Sequence, residues 1–235
     1  MKHRINIRGV MIPNSYKWYY DFFGEDSTCP KDVQDILDAV KQGDEVEVYI
    51  NSPGGVIDVG SEIYTLLKTQ KENIKIYITG EACSAASIAA MAGYCEMSPT
   101  ALMMVHCVSS GVNGNHKAME HMGEVLRTAD KALCTAYMDK AGMSETEALE
   151  MMEHETWLTA QQAKEKGLID KIMFEEQEGD AVQMVNGRSF KLPTPEQMEK
   201  VKNMLKNNTS ESGDVKDKLL MQTKFNYLKM RGEQR

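Results

Sequence analysis

Ser84 is the residue of this chain best placed for covalent chemistry. It falls between a short apolar strand, Ile76-Tyr77-Ile78, interrupted at Gly80, and a helix opened by a run of small residues, Ala82 to Ser87. A serine where a strand feeds a helix projects its hydroxyl at a helix N-terminus, where free N–H groups and the dipole favour negative charge. A serine hydroxyl is a weak nucleophile until a base takes its proton. His106 is the candidate base. It follows the apolar strand expected over residues 101–105, whereas His3, His116, His121 and His154 lie in polar surroundings. The developing oxyanion needs donors, and losing one costs about 2.7–4 kcal/mol. The N–H groups of Gly55, in the turn Asn51-Ser52-Pro53-Gly54-Gly55, and of Ala85, just after the serine, are the candidates. The combination is that of acyl transfer. Cys83 and Cys107 flank the same positions, but neither fits the turn as Ser84 does, and both are assigned to packing. No HExxH or other metal-ligand spacing occurs, so neither metal nor cofactor is expected.

The elements that must position these residues follow from hydrophobic periodicity. Residues 5–10 and 46–50 read as strands, and the aromatic stretch 16–23 as a loop. Pro30 sits at the start of a helix with Val33, Ile36, Leu37 and Val40 on one face, closed by Gly43. Val59, Ile63, Leu66 and Leu67 mark another helix after the glycine turn. Strand, glycine turn, helix, strand, serine turn, helix, strand is a βαβ succession, which forms a mostly parallel sheet with right-handed crossovers. Its glycine and serine turns lie at carboxyl ends of strands, where open α/β sheets place their sites. A long helix is expected over about residues 116–141, apolar on two faces, which points to subunit contact. Ser144 with Glu147 forms a capping box for the next helix, and Thr159 starts another that ends at Gly167. Residues 168–172 return as a strand. Asn186-Gly187, between residues 182–185 and 188–192, signals a hairpin. Residues 1–192 are expected to form one domain. Residues 193–235 are expected to be a linker and a mobile basic tail carrying Leu219, Leu220, Phe225, Tyr227, Leu228 and Met230.

Composition excludes several classes. Among 235 residues, 42% are hydrophobic, enough for a substantial core. The formal net charge of -8 argues against a nucleic-acid partner for the folded part. No apolar run is long enough for a membrane span. The start, MKHRINIRG, is basic but has no apolar region of a secretory signal. Five cysteines without CxxC spacing suit reduced thiols, and a cytoplasmic location is expected.

Four segments carry a resemblance to one family. Residues 49–56, Tyr-Ile-Asn-Ser-Pro-Gly-Gly-Val, are very similar to a segment of the ClpP peptidases. Residues 80–86 resemble that family's serine turn, with Cys83 where alanine is usual. Met103-Met104-Val105-His106 resembles its histidine strand, and residues 157–170 its closing helix. The likeness covers roughly residues 5–174. It implies an α/β fold of the ClpP/crotonase kind, a superhelix of ββα units with a mostly parallel sheet, a protruding long helix and a flexible C-terminal tail. It also implies a serine endopeptidase whose subunits stack into homo-oligomeric rings. ClpP has an aspartate where this chain has Glu155, making Glu155 the candidate third member of the triad. Asp139 and Asp170 are the other carboxylates considered, and a solvated helix-end charge is the plain alternative.

The run Ser84-Ala85-Ala86-Ser87, Met97-Ser98-Pro99, Glu155-Thr156-Trp157 and the basic tail look like the ClpP-like head maturation proteases of tailed phages and prophages. That branch implies scaffold and capsid proteins as substrates, inside proheads in the bacterial cytoplasm. The alternatives are an ATP-dependent Clp proteolytic subunit serving an AAA+ unfoldase, acyl-CoA chemistry of the crotonase type, and a degenerate assembly protein. The pore and unfoldase-binding segment of ClpP is not recognisable before Ile5.

Overall fold

The structure, a computed structural model, describes residues 1–70 and 73–175, together with the backbone of the strands Val182–Val185 and Arg188–Lys191. The chain divides into two units, Met1–Glu175 and Glu176–Arg235.

In the first unit an eight-stranded sheet has the main order β2-β1-β3-β4-β5-β8. These strands are β1 (Lys2–Met11), β2 (Ser27–Thr28), β3 (Glu45–Gly55), β4 (Ile74–Cys83), β5 (Tyr94–Met97) and β8 (Lys171–Ile172). β6 (Leu102–Val105) also pairs with β4, and β7 (Thr156–Thr159) pairs with β6. All these pairings are parallel except β6 with β7. The α/β class with a mostly parallel sheet is therefore as expected.

The strands form where β-branched residues alternate with polar ones. In β3, Val46, Val48 and Ile50 are fully buried, while Glu47 and Tyr49 lie on the half-open face. There Tyr49 stacks on Tyr77 with centroids 5.0 Å apart, and the Arg4 guanidinium lies 4.0 Å from the Tyr49 ring centroid. Such aromatic neighbours on adjacent strands pin register. The helices are α2 (Pro30–Leu37), α3 (Ile57–Lys68), α4 (Ala85–Ala90), α5 (His116–Ala141), α6 (Glu145–Glu153) and α7 (Ala160–Glu165). Every residue of α4 is buried. Its small side chains allow close approach: a Cβ on Gly60 of α3 would lie 2.8 Å from the Ala85 Cβ. The capping box expected at Ser144 forms with Glu147, and Thr159, the expected helix start, makes a second box with Gln162.

Several expectations need correction. The aromatic stretch is not a loop: Asn14–Tyr16 is a 3-10 turn and α1 (Lys17–Phe23) is a helix, closed by Gly24 at φ 69. Its Trp18, Tyr19, Phe22 and Phe23 are exposed, so no apolar periodicity toward a core announced it. The helix α2 stops at Leu37, short of Gly43. Residues 51–55 do not turn away from the sheet but prolong β3, with register shifts on both sides. Gly80 likewise does not end β4. The strand exchanges partners there, pairing with β5 up to Ile78 and with β6 from Glu81. A Cβ at Gly80 would lie 2.2 Å from Asn51 Oδ1, which itself accepts the Glu81 N–H at 3.2 Å. Strands β5 and β7 were not foreseen, and the strand expected over 168–172 is only Lys171–Ile172.

Helix α5 has the expected span, with exposed Met119 and Val125 and buried Cys134, Ala136 and Tyr137. Among the described residues no helix is long and apolar enough to cross a membrane. In the second unit, β9 (Val182–Val185) and β10 (Arg188–Lys191) pair antiparallel with Val185 opposite Arg188, as the hairpin signal requires. The linker and tail expected over residues 193–235 lie outside the described residues.

Candidate active site

The exchange of partners along β4 creates the site. Pairing of Cys83 with Met104 places the end of β4 beside the end of β6. Ser84 follows one end and His106 the other. The Ser84 N–H donates to the Met104 carbonyl at 2.8 Å, and Ser84 Oγ stands 2.7 Å from His106 Nε2. Ser84 adopts φ 54 and ψ -125, a conformation L-residues avoid and that persists only where its surroundings over-determine it. The strained turn lifts the hydroxyl out of both the strand and the helix. With the ring proton on Nδ1, Nε2 is free to accept the serine proton.

The glycine segment of β3 closes the other side. Pairing of Ser52 with Ala82 brings it alongside the serine turn. Gly54 makes the contact: a Cβ there would lie 2.5 Å from the Cys83 carbonyl oxygen, 2.8 Å from Ser84 Cβ and 2.9 Å from Ala85 N. Gly55 packs against β1 instead, where a Cβ would lie 2.2 Å from the Met11 carbonyl oxygen. Sequence reasoning missed two supports here. Gly54 reads in the sequence only as part of a turn. Ser52 is fully buried; its hydroxyl donates to the Gly9 carbonyl at 2.6 Å and accepts the Gly54 N–H at 3.1 Å, bracing the bend. Its position between Asn51 and Pro53 in a polar-looking turn hid that role.

Glu155 is not hydrogen-bonded to His106. Its exposed carboxylate accepts from Trp157 Nε1 at 3.3 Å. Its backbone, however, is held close to the histidine segment: the Met152 carbonyl accepts the N–H of both Glu155 and Cys107 at 3.1 Å. The β6–β7 ladder ends at Val105 opposite Thr156, so one further step puts His106 opposite Glu155. Glu155 has φ 45, a second strained residue at the same rim. Asp170 is engaged elsewhere, accepting the Cys95 N–H at 2.7 Å and the Lys140 ammonium. Asp130 was not foreseen. Buried on α5 at 8% exposure, it accepts the Val108 N–H at 2.7 Å and so tethers the segment leaving His106. A lone acid among the apolar residues of that helix face was the available signal.

The neighbouring thiols are unsuited to act as nucleophiles. Burial, reinforced by the Glu81 charge, pushes Cys83 up to about 12. Burial and the Asp130 charge push Cys107 up to about 11. Because the thiolate is the reactive form, iodoacetamide at pH 8 should alkylate Cys107 about two orders of magnitude, and Cys83 about three orders, more slowly than a free thiol. Peptide mapping by mass spectrometry checks this; rapid modification of Cys83 would contradict it.

The Clp protease family model matches residues 33–176. An ATP-dependent Clp protease proteolytic subunit of Bacteroides fragilis (strain ATCC 25285) is 31% identical over 140 residues, covering 58% of this chain and 68% of the relative. The protein of the same description from Bacteroides fragilis strain YCH46 is also 31% identical over 140 residues, covering 64% of its own length. The matched stretch contains the serine turn, the histidine strand and the glycine segment, and this chain is a member of the Clp protease family, a family of peptidases.

Proposed function

We propose that the chain is a serine-type endopeptidase, with Ser84 as nucleophile, His106 as general base and acid, and Glu155 as the group that orients His106. The observation that carries this reading is the 2.7 Å contact between Ser84 Oγ and His106 Nε2 at a strained strand-to-helix turn. The hydroxyl attacks the peptide carbonyl carbon as Nε2 takes its proton. The tetrahedral oxyanion is met by the N–H groups of Ala85 and Gly55. Ala85 is the first residue of α4, so its N–H lacks an intrahelical partner. The Val56 N–H donates to Met11 at 2.9 Å, and N–H groups alternate sides along an extended strand, which turns that of Gly55 toward β4. Collapse of the intermediate expels the amine, which takes the proton from His106 and leaves an ester on Ser84. Water, deprotonated by the same histidine, then hydrolyses the ester.

In this reading the Glu155 side chain, now on Trp157, rotates to meet His106 Nδ1 across the ladder end. Glu155→Gln removes the charge that would stabilise the imidazolium. It should lower kcat about 10²- to 10⁴-fold with little change in KM, measured on a fluorogenic peptide. An unchanged kcat would leave Glu155 a surface charge.

For the substrate, we infer processing of phage scaffold or capsid proteins in an assembling prohead, by a ring of identical subunits in the host cytoplasm. The support is the set of phage-type segments around Ser84, Met97 and Glu155, with the basic tail as a recruiting element for an acidic scaffold. Deleting the residues after Leu192 should lower prohead incorporation while hydrolysis of a small peptide persists. A second reading is favoured by the relatives, whose description is the proteolytic subunit of an ATP-dependent Clp protease. ATP-dependent degradation of an unfolded protein with an added AAA+ ATPase, and no cleavage of scaffold, would decide for it.

A further inference from the structure

The Ser84 carbonyl is held more heavily than a helix N-terminus requires. It accepts the Ser87 N–H at 2.9 Å and the Ile88 N–H at 3.4 Å. It also accepts the Ser87 hydroxyl at 2.6 Å, the shortest of its bonds. Ser87 Oγ in turn lies 2.7 Å from the Tyr137 hydroxyl. Ser87 has a single hydroxyl proton and spends it on the Ser84 carbonyl, so Tyr137 is the donor in the second bond. A directional chain thus runs from Tyr137 on α5 through Ser87 on α4 to the Ser84 carbonyl. Ser87 is 0% exposed and Tyr137 2%. Burial raises the Tyr137 phenol above its ordinary range, which keeps it a donor.

The consequence lies in the peptide unit that follows Ser84. A trans peptide is planar, with its C=O and N–H pointing in opposite directions. Anchoring the Ser84 oxygen to the first turn of α4 therefore aims the Ala85 N–H the other way, out of the N-terminal end of that helix. Bonds accepted by the carbonyl also polarise the unit and strengthen its N–H as a donor.

We propose that Ser87 and Tyr137 are positioning residues for the oxyanion pocket, acting through the Ser84–Ala85 peptide. This rests on the serine-peptidase reading above. A serine bonding back to its own helix turn is otherwise ordinary packing, and that bland role predicts lost stability with unaltered catalysis. The pocket role predicts a different pattern. Ser87→Ala should lower kcat about 30-fold, part of the effect of a lost oxyanion donor, with KM unchanged. Affinity for a peptide aldehyde should fall by a similar factor, because the hemiacetal formed with Ser84 places its oxygen in the pocket. Tyr137→Phe should lower kcat about threefold to fivefold. The double variant should match Ser87→Ala, since Tyr137 acts only through Ser87.

Unchanged kcat in the single variants, losses that multiply in the double variant, or a change confined to KM would each overturn the proposal. Should Ser87→Ala fail to fold, Tyr137→Phe removes one oxygen only, and wild-type kcat and aldehyde affinity in it would overturn the proposal alone. Fluorophosphonate labelling of the wild-type chain separates the two failures. Labelling at Ser84 with wild-type kinetics in the variants sinks the positioning role only. Absence of labelling at Ser84 sinks the serine reading and this inference together.

Discussion

Ser84→Ala and His106→Ala should each reduce peptide hydrolysis by about 10⁴- to 10⁶-fold, and the double variant should be no slower than either alone. Residues that act as one unit are grossly non-additive: once the hydroxyl is gone there is no proton for the imidazole to take, and without the imidazole the hydroxyl stays protonated. The 2.7 Å contact makes Ser84 and His106 such a unit. Neither substitution should unfold the protein, because His106 is only half-buried and Ser84 loses a single oxygen. Matched melting curves, with kcat/KM on one peptide, check this. Losses that multiply, or a Ser84→Ala variant retaining a tenth of the activity, would mean that a different group attacks.

Gly54→Ala should be nearly as severe, for a steric reason. Gly54 has φ 92, and its missing side chain leaves room that the serine turn fills. A methyl group would press on the Cys83 carbonyl, Ser84 Cβ and Ala85 N together. These are backbone or short side-chain atoms, so none can swing aside. Moving them displaces both the hydroxyl and a candidate oxyanion donor, and the expected loss is about 10²- to 10³-fold in kcat. The backbone penalty adds about 1–2 kcal/mol of lost stability. Gly142→Ala is the control. It too replaces a glycine of positive φ, 69, but among the described residues no heavy atom lies within 4 Å of the added methyl. It should lose comparable stability and keep its activity. Equal activity losses in the two variants would assign the Gly54 effect to general destabilisation.

Much of this was legible before any geometry. β-branched alternation gave the central strands, the capping box at Ser144 gave α6, Thr159 gave the start of α7, and the spacing of apolar residues gave the span of α5. Ser84 and His106 could be paired because one sits where a strand feeds a helix and the other where an apolar strand ends. The missed features share a physical origin: they depend on which residue meets which across the fold. Gly54 and Gly55 are adjacent in sequence and equivalent in type, yet one packs on the serine turn and the other on β1. Ser52, Ser87 and Asp130 are polar residues made useful by burial, and burial of a polar side chain has no periodic signature. The continuation of β4 through Gly80 depends on an exchange of partner strands, which local propensity does not encode. The exposed aromatic helix α1 has no buried face to impose a pattern.

The central claim is that Ser84, activated by His106, forms the covalent bond to substrate. Its most direct measurement is the site and rate of fluorophosphonate labelling, by mass spectrometry, in the wild type, Ser84→Ala and His106→Ala. The account predicts one adduct per chain, on Ser84, absent from Ser84→Ala and slowed by at least about 10²-fold in His106→Ala. An adduct on another residue, or labelling of His106→Ala at the wild-type rate, would contradict it.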